Sequence, residues 1–185
     1  MLRVQKIATA ILFNLNEMYA RKHSDIELIE AINSIIRTVN IILINKESNW
    51  ITKSTTLKIK NGKSKVPSDF GKIKSITETD SNWDKPFCGD YQIVKDTMIL
   101  TKKDQTEIVN TLTMYYYYML DEVSEMTDEI DLPELFYQLF IEYATGLIDG
   151  TFGKTSLDNL VTSQIDSLSG ATNYPFIERP APFYV

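Results

Sequence analysis

Histidine and cysteine occur once each in this chain, as His23 and Cys88, and that alone narrows the chemistry open to it. A Ser–His–Asp relay would have to run through His23, which stands beside Lys22 at a polar junction, and no serine lies in a G-x-S-x-G setting. The plain reading is a surface histidine. A structural zinc site needs several His or Cys ligands, and one of each falls short. Gly150-Thr151-Phe152-Gly153-Lys154-Thr155 comes nearest to a phosphate-binding loop. It follows a helical pattern rather than a strand, so it reads as a turn between helices.

Carboxylates are plentiful, and they are densest at Asp121, Glu122, Glu125, Asp128, Glu129 and Asp131. The spacing lacks the glycine and the final bidentate acid of an EF-hand. An acidic loop ahead of a helix is favoured by the helix dipole, which makes a solvated loop the plainer reading and a paired-carboxylate hydrolase the reactive one. Lys58, Lys60, Lys63, Lys65, Lys72 and Lys74 form a basic stretch. Stacking aromatics are not interleaved with them and arginine is scarce, so a solvated strand face is the default over nucleic-acid binding. On a strand, Tyr115-Tyr116-Tyr117-Tyr118 would send two rings into a core and two outward, which suits a sheet covered on both sides.

These residues must be positioned by a chain of 185 residues, enough for one sizeable core. Apolar residues at 43% and charged residues at 24% are ordinary for a folded soluble protein. The first residues do not read as a signal peptide: Asn14 interrupts the apolar run and no small-residue cleavage site follows. Ile35–Ile44 is the stretch closest to a membrane span, and Arg37 and Asn40 break it. One cysteine rules out an intrachain disulfide and fits a reducing cytoplasm. The net charge of -6 is unevenly spread. Residues 1–103 carry 17 Lys and Arg against 11 Asp and Glu, whereas residues 104–153 carry 11 acids and no base. The acidic half is either a solvated face or one of two complementary patches set against a neighbouring copy.

Helical spacing runs from Val4 to Arg21 through Ile7, Ala8, Ile11, Leu12, Leu15 and Met18. Ser24-Asp25-Ile26-Glu27 is a capping box that opens a second helix, with Leu28, Ile29, Ile32, Ile35, Ile36, Val39 and Leu43 on its apolar face. Alternation over Thr55–Lys60 predicts a strand, and Asn61-Gly62 a tight turn. Pro67 breaks the pairing. Short strands follow over Ile73–Thr77, Tyr91–Val94, Met98–Thr101 and Ile108–Tyr118, with Lys95-Asp96 as a hairpin turn and 82–90 as a loop. A third helix opens around Pro133 and ends at Gly150 and Gly153. A fourth spans about Ser156–Leu168. The expected fold is α+β: an N-terminal helical pair, a small antiparallel β insertion over about 50–118, C-terminal helices, and an extended tail. Residues 1–170 read as a single adaptor domain and 171–185 as the tail.

That tail interleaves Pro175, Pro180 and Pro182 with Tyr174, Phe176, Ile177, Phe183 and Tyr184. Neither a helical nor a strand period survives those prolines, and disordered tails are poor in aromatics. With Arg179, these apolar residues are candidates for docking on a partner or a neighbouring subunit.

Three stretches carry a resemblance. Val66-Pro67-Ser68-Asp69-Phe70 with Ile73, the run from Tyr91-Gln92-Ile93 through Leu100 to Met114-Tyr115-Tyr116-Tyr117, and Leu132-Pro133-Glu134-Leu135 with Gly146 stand in one order. Over roughly residues 25–150 that order resembles the head–tail adaptor, or connector ring, proteins of short-tailed phages. The lysine- and asparagine-rich, arginine-poor composition looks like that of AT-rich genomes, as in crAss-like gut phages. The Pro/aromatic tail departs from the simplest members.

The resemblance implies a non-enzymatic virion neck protein without cofactors, assembled in the host bacterial cytoplasm. It implies a homo-oligomeric ring, commonly a dodecamer, between the portal and the next tail component. DNA would pass through its channel without sequence-specific binding. Asp121, Glu122, Glu125, Asp128 and Glu129 are then candidate channel-facing acids, because a conducting wall should not grip phosphates. The rival classes are a small carboxylate-dependent hydrolase and a cytoplasmic adaptor of non-viral origin.

Overall fold

In a computed structural model, residues 1–79, 84–101, 111–151 and 154–172 are described. The fold is α+β, with antiparallel sheets between helices. The chain divides into two compact units, one of residues 1–35 and 123–185, the other of residues 36–122.

In the first unit, strand β1 (Leu2–Arg3) leads directly into helix α1 (Val4–Asn14), which buries Val4, Ile7, Ala8 and Ile11. The helical spacing predicts a helix to Arg21, yet α1 stops at Asn14. Asn16 takes the left-handed conformation at φ 58, Glu17 N–H bonds to Leu12 O at 2.8 Å, and Asn16 N–H bonds to Phe13 O at 3.0 Å. This is a Schellman cap, and asparagine tolerates the required φ. Met18, expected on the apolar face, is consequently half-exposed.

Helix α2 (Asp25–Asn45) opens on the expected capping box: Ser24 N–H donates to Glu27 Oε2 at 2.7 Å, and Glu27 N–H to Ser24 Oγ at 3.3 Å. It buries Leu28, Ala31, Ile32, Ile35, Ile36, Val39, Ile42 and Leu43. Its end repeats the first cap, with Glu47 at φ 53 and Ser48 N–H bonded to Leu43 O at 3.0 Å.

The second unit holds the β insertion. A 3-10 turn over Asn49–Ile51 feeds β2 (Thr52–Lys58), followed by β3 (Lys63–Lys65), β4 (Phe70–Thr79), β5 (Asp84–Pro86), β6 (Asp90–Val94), β7 (Thr97–Thr101) and β8 (Thr111–Tyr118). One sheet has the order β2-β8-β4-β5, the other β3-β7-β6. Asn61 and Gly62, at φ 52 and 72, turn β2 into β3 as expected, closed by reciprocal Lys60–Lys63 bonds of 2.9 and 3.0 Å. Lys95, at φ 57, turns β6 into β7. Part of the expected 82–90 loop is strand instead: Asp84–Pro86 pairs with the end of β4, with Pro86 at an edge where no amide is needed.

Central in its sheet, β8 buries Leu112, Met114, Tyr116, Tyr117 and Tyr118, and Tyr115 is half-buried. Tyr117 is the residue buried out of alternation, with the Lys74 ammonium 5.8 Å from its ring centroid, while the Lys53 ammonium lies 3.8 Å from that of Tyr118. β4 slips register against β8 at Gly71 and again at Lys74. A Cβ there would lie 2.7 Å from Ile44 Cδ1 and 2.9 Å from Tyr117 O, so helix end and sheet meet through a glycine.

Back in the first unit, β9 (Glu129–Ile130) pairs with β1, Leu2 opposite Ile130 and Arg3 opposite Glu129. Past Pro133 a 3-10 turn (Glu134–Phe136) precedes α3 (Tyr137–Ile148), so the helix proper begins later than the proline signal predicts. Phe136 N–H bonds to Pro133 O at 3.1 Å, which fixes that tighter first turn. Gly150, at φ 78, ends the segment as expected; Gly153 lies outside the described residues. Helix α4 (Lys154–Thr172) is longer than expected and takes in Ala171 and Thr172, assigned in the sequence to the tail. It buries Val161 and Ile165 and exposes Leu160.

Candidate functional site

The two sets of candidate residues fare differently. Tyr174, Phe176, Ile177, Arg179, Phe183 and Tyr184 lie outside the described residues. The five candidate channel-facing acids are all described, and most engage a hydrogen-bond partner.

Glu122 takes both ends of the Arg37 guanidinium, at 2.7 and 2.9 Å, and these bonds hold its carboxyl below the usual range. Asp128 accepts the Ser124 and Glu125 amides at 2.7 and 2.9 Å and the Ser124 hydroxyl at 3.2 Å. The amides of Glu125 and Ser124 do most to lower its pKa. Glu129 faces Arg3 across the β1–β9 ladder at 3.3 Å. Glu125 accepts the Thr127 hydroxyl at 3.3 Å, and Asp121 is exposed. Asp121 and Glu122 belong to the second unit, and Glu125, Asp128 and Glu129 to the first. Among the described residues no group of three or more His, Cys, Asp or Glu is placed to hold a metal ion.

The polar residues that break the apolar run of α2 have a use the sequence reading missed. In the first unit, Asn33 is buried and clamps the backbone of Val123, donating to its carbonyl and accepting from its amide, both at 2.9 Å. In the second unit, Asn40 makes the same pair of bonds to Leu120, at 3.0 and 2.8 Å. Arg37 lies between them on the helix and holds Glu122. Asparagines seven residues apart on one helix, matched to an extended segment lacking its own ladder, form a pattern readable only once that segment is known.

His23 is not a plain surface histidine. Its Nδ1 lies 2.9 Å from Oε1 of buried Glu17, whose Oε2 accepts the Lys22 and His23 amides at 2.9 and 3.1 Å. Burial pushes the Glu17 carboxyl up, but the Lys22 amide, the His23 ring and the His23 amide outweigh it, and its pKa is lowered. The pair fastens the α1–α2 connection.

The motif residues of the β unit are also wired together. Asp69 of Val66-Pro67-Ser68-Asp69-Phe70 accepts the Tyr116 hydroxyl at 3.0 Å and the Lys53 ammonium at 3.1 Å, and its carbonyl accepts Met119 N–H at 2.7 Å. Phe70 packs on Tyr116 with ring centroids 6.0 Å apart. Burial first, then Asp69, pushes the Tyr116 hydroxyl up to about 12.

No known family and no curated protein matches this chain. Among the described residues no helix is long and apolar enough to cross a membrane.

Proposed function

We propose that this chain is a structural, non-enzymatic protein of a phage head-to-tail connector. Copies form a ring that docks on the portal and bridges it to the next tail component around the DNA channel. It works without a cofactor, in the virion neck, after assembly in the host cytoplasm.

The observation that carries this reading is the ordered set of motifs, with Asp69 of the Val-Pro-x-Asp-Phe entry bonded to Tyr116 of the tyrosine strand. The bond ties the entry motif to the tyrosine strand, which supports reading the two as parts of one unit. Charge supports the ring. Residues 36–122 carry 13 Lys and Arg against 11 Asp and Glu, while residues 1–35 and 123–185 carry 6 against 14. A ring needs two unlike, complementary surfaces on each copy, and a charge split of this kind supports that reading. In this arrangement part of the 121–149 region lines the channel, with Asp121 and Glu125 contributing charge not committed to a guanidinium.

The test is co-expression with the portal protein of the same phage. Stoichiometric co-purification, with the acids mapped by cryo-electron microscopy to the lumen, is the expected result. Acids on the outside of an assembled ring would remove the channel assignment. An essential Asp/Glu pair supporting turnover, with no portal binding, would replace the whole reading with a hydrolase.

A further inference from the structure

We propose that the trough between α1 and α3 is the seat for residues 173–185 of a second copy of this chain, an inference that rests on the ring reading. The trough has a volume of about 720 Å³, and its lining includes Lys6, Ala10, Phe13, Met18, Tyr137 and Ile141. Phe13 is 69% exposed and Met18 50%, and Tyr19 next to them is fully exposed. Neighbouring apolar side chains left in water on one face mark an interaction surface. The Schellman cap creates it: by ending α1 at Asn14 it leaves Met18 beyond the helix rather than on its buried stripe.

The occupant is indicated by composition and length. Thirteen residues follow Thr172, carrying Tyr174, Phe176, Ile177, Phe183 and Tyr184 among three prolines. Proline-fixed peptides lose little entropy on binding and dock in aromatic-lined grooves, here offered by Phe13 and Tyr137. At about 3.1 Å per residue such a segment reaches about 40 Å. An 11-residue α1 is only about 16 Å long, which leaves length to cross to a neighbour and still fill the trough. The trough's charged lining residues are cations, Lys6 lying 3.5 Å from Glu134 and Arg3 3.3 Å from Glu129, and the occupant carries Glu178 and Arg179. A tail set into a groove is a contact between unlike surfaces, so repetition from copy to copy closes a ring. The same contact made within one chain would link no copies.

The test uses the full chain with a photo-cross-linking phenylalanine at position 176 or 183, mixed as ¹⁵N-labelled and unlabelled copies. The expected result is cross-links between heavy tails and light peptides from residues 3–18 or 137–141. Combined Phe13→Glu and Met18→Glu, both at exposed positions, should cut their yield at least about tenfold, equivalent to about 1.4 kcal/mol, with an unchanged thermal melt. Same-chain links alone, links to another surface, or no links would each overturn the inference. Electron micrographs of the same sample report separately on the ring: rings without trough cross-links would sink the inference and spare the ring.

Discussion

Asp69 Oδ1 accepts the Tyr116 hydroxyl at 3.0 Å, joining positions 47 residues apart, while Oδ2 holds Lys53 at 3.1 Å. The bond fixes the entry to β4 against the central strand of its sheet. Tyr116→Phe removes the hydroxyl and leaves a partly buried carboxylate oxygen short of a donor. The expected loss is about 1–3 kcal/mol in urea unfolding. Because the hydroxyl pKa is raised to about 12, above its ordinary 10, this residue's contribution is whole below pH 10 and fades as pH climbs toward 12. Alkaline melts of wild type should therefore fall more steeply than those of the phenylalanine variant.

The clamp at Asn33 predicts a larger effect. Asn33→Leu fits the apolar surroundings of α2 but strands the amide and carbonyl of Val123. Losing partners for two buried backbone groups costs about 2–5 kcal/mol. Asn33→Asp should restore only the bond to the Val123 amide and recover part of the loss in the same unfolding assay.

Glu17 predicts an acid transition. Its folded pKa lies below the ordinary 4.5, so the stability it supplies is present above that value and is lost as pH falls through the lowered one. Thermal melts from pH 6 down to pH 3 should show Glu17→Gln less stable at pH 6. Its melting temperature should also change less with acid than that of wild type.

Gly71→Ala tests the contact between the end of α2 and the sheet. The added methyl meets Ile44 Cδ1 at 2.7 Å, which can turn away, and the Tyr117 carbonyl at 2.9 Å, which cannot move without shifting the strand. About 1–3 kcal/mol of destabilisation is expected by chemical denaturation. Adding Ile44→Val should recover little of it, because the backbone clash remains.

Much of this fold was legible because its local signals are unambiguous. The Ser24–Glu27 box, Asn61-Gly62 and Gly150 each demand a particular backbone, and each adopts it. The misses have physical causes. Asn16 ended α1 although the apolar spacing continued, because a cap overrides periodicity. Asp84–Pro86 pairs at an edge, where proline is tolerated, despite reading as loop. The candidate acids were visible as a run of charge, but their pairings with Arg37, Arg3 and the Ser124 turn depend on residues distant in sequence or on turn geometry. Asn33 and Asn40 read only as interruptions of an apolar helix, since nothing local announces the strand-like segment they hold.

The central claim is that unlike surfaces on one chain close it into a ring. Electron microscopy of the purified chain, alone and mixed with the proposed portal partner, tests this most directly. The account predicts closed rings of uniform copy number around an open channel, stacked coaxially on the portal. Particles that stay monomeric even with assembled portal present would contradict it.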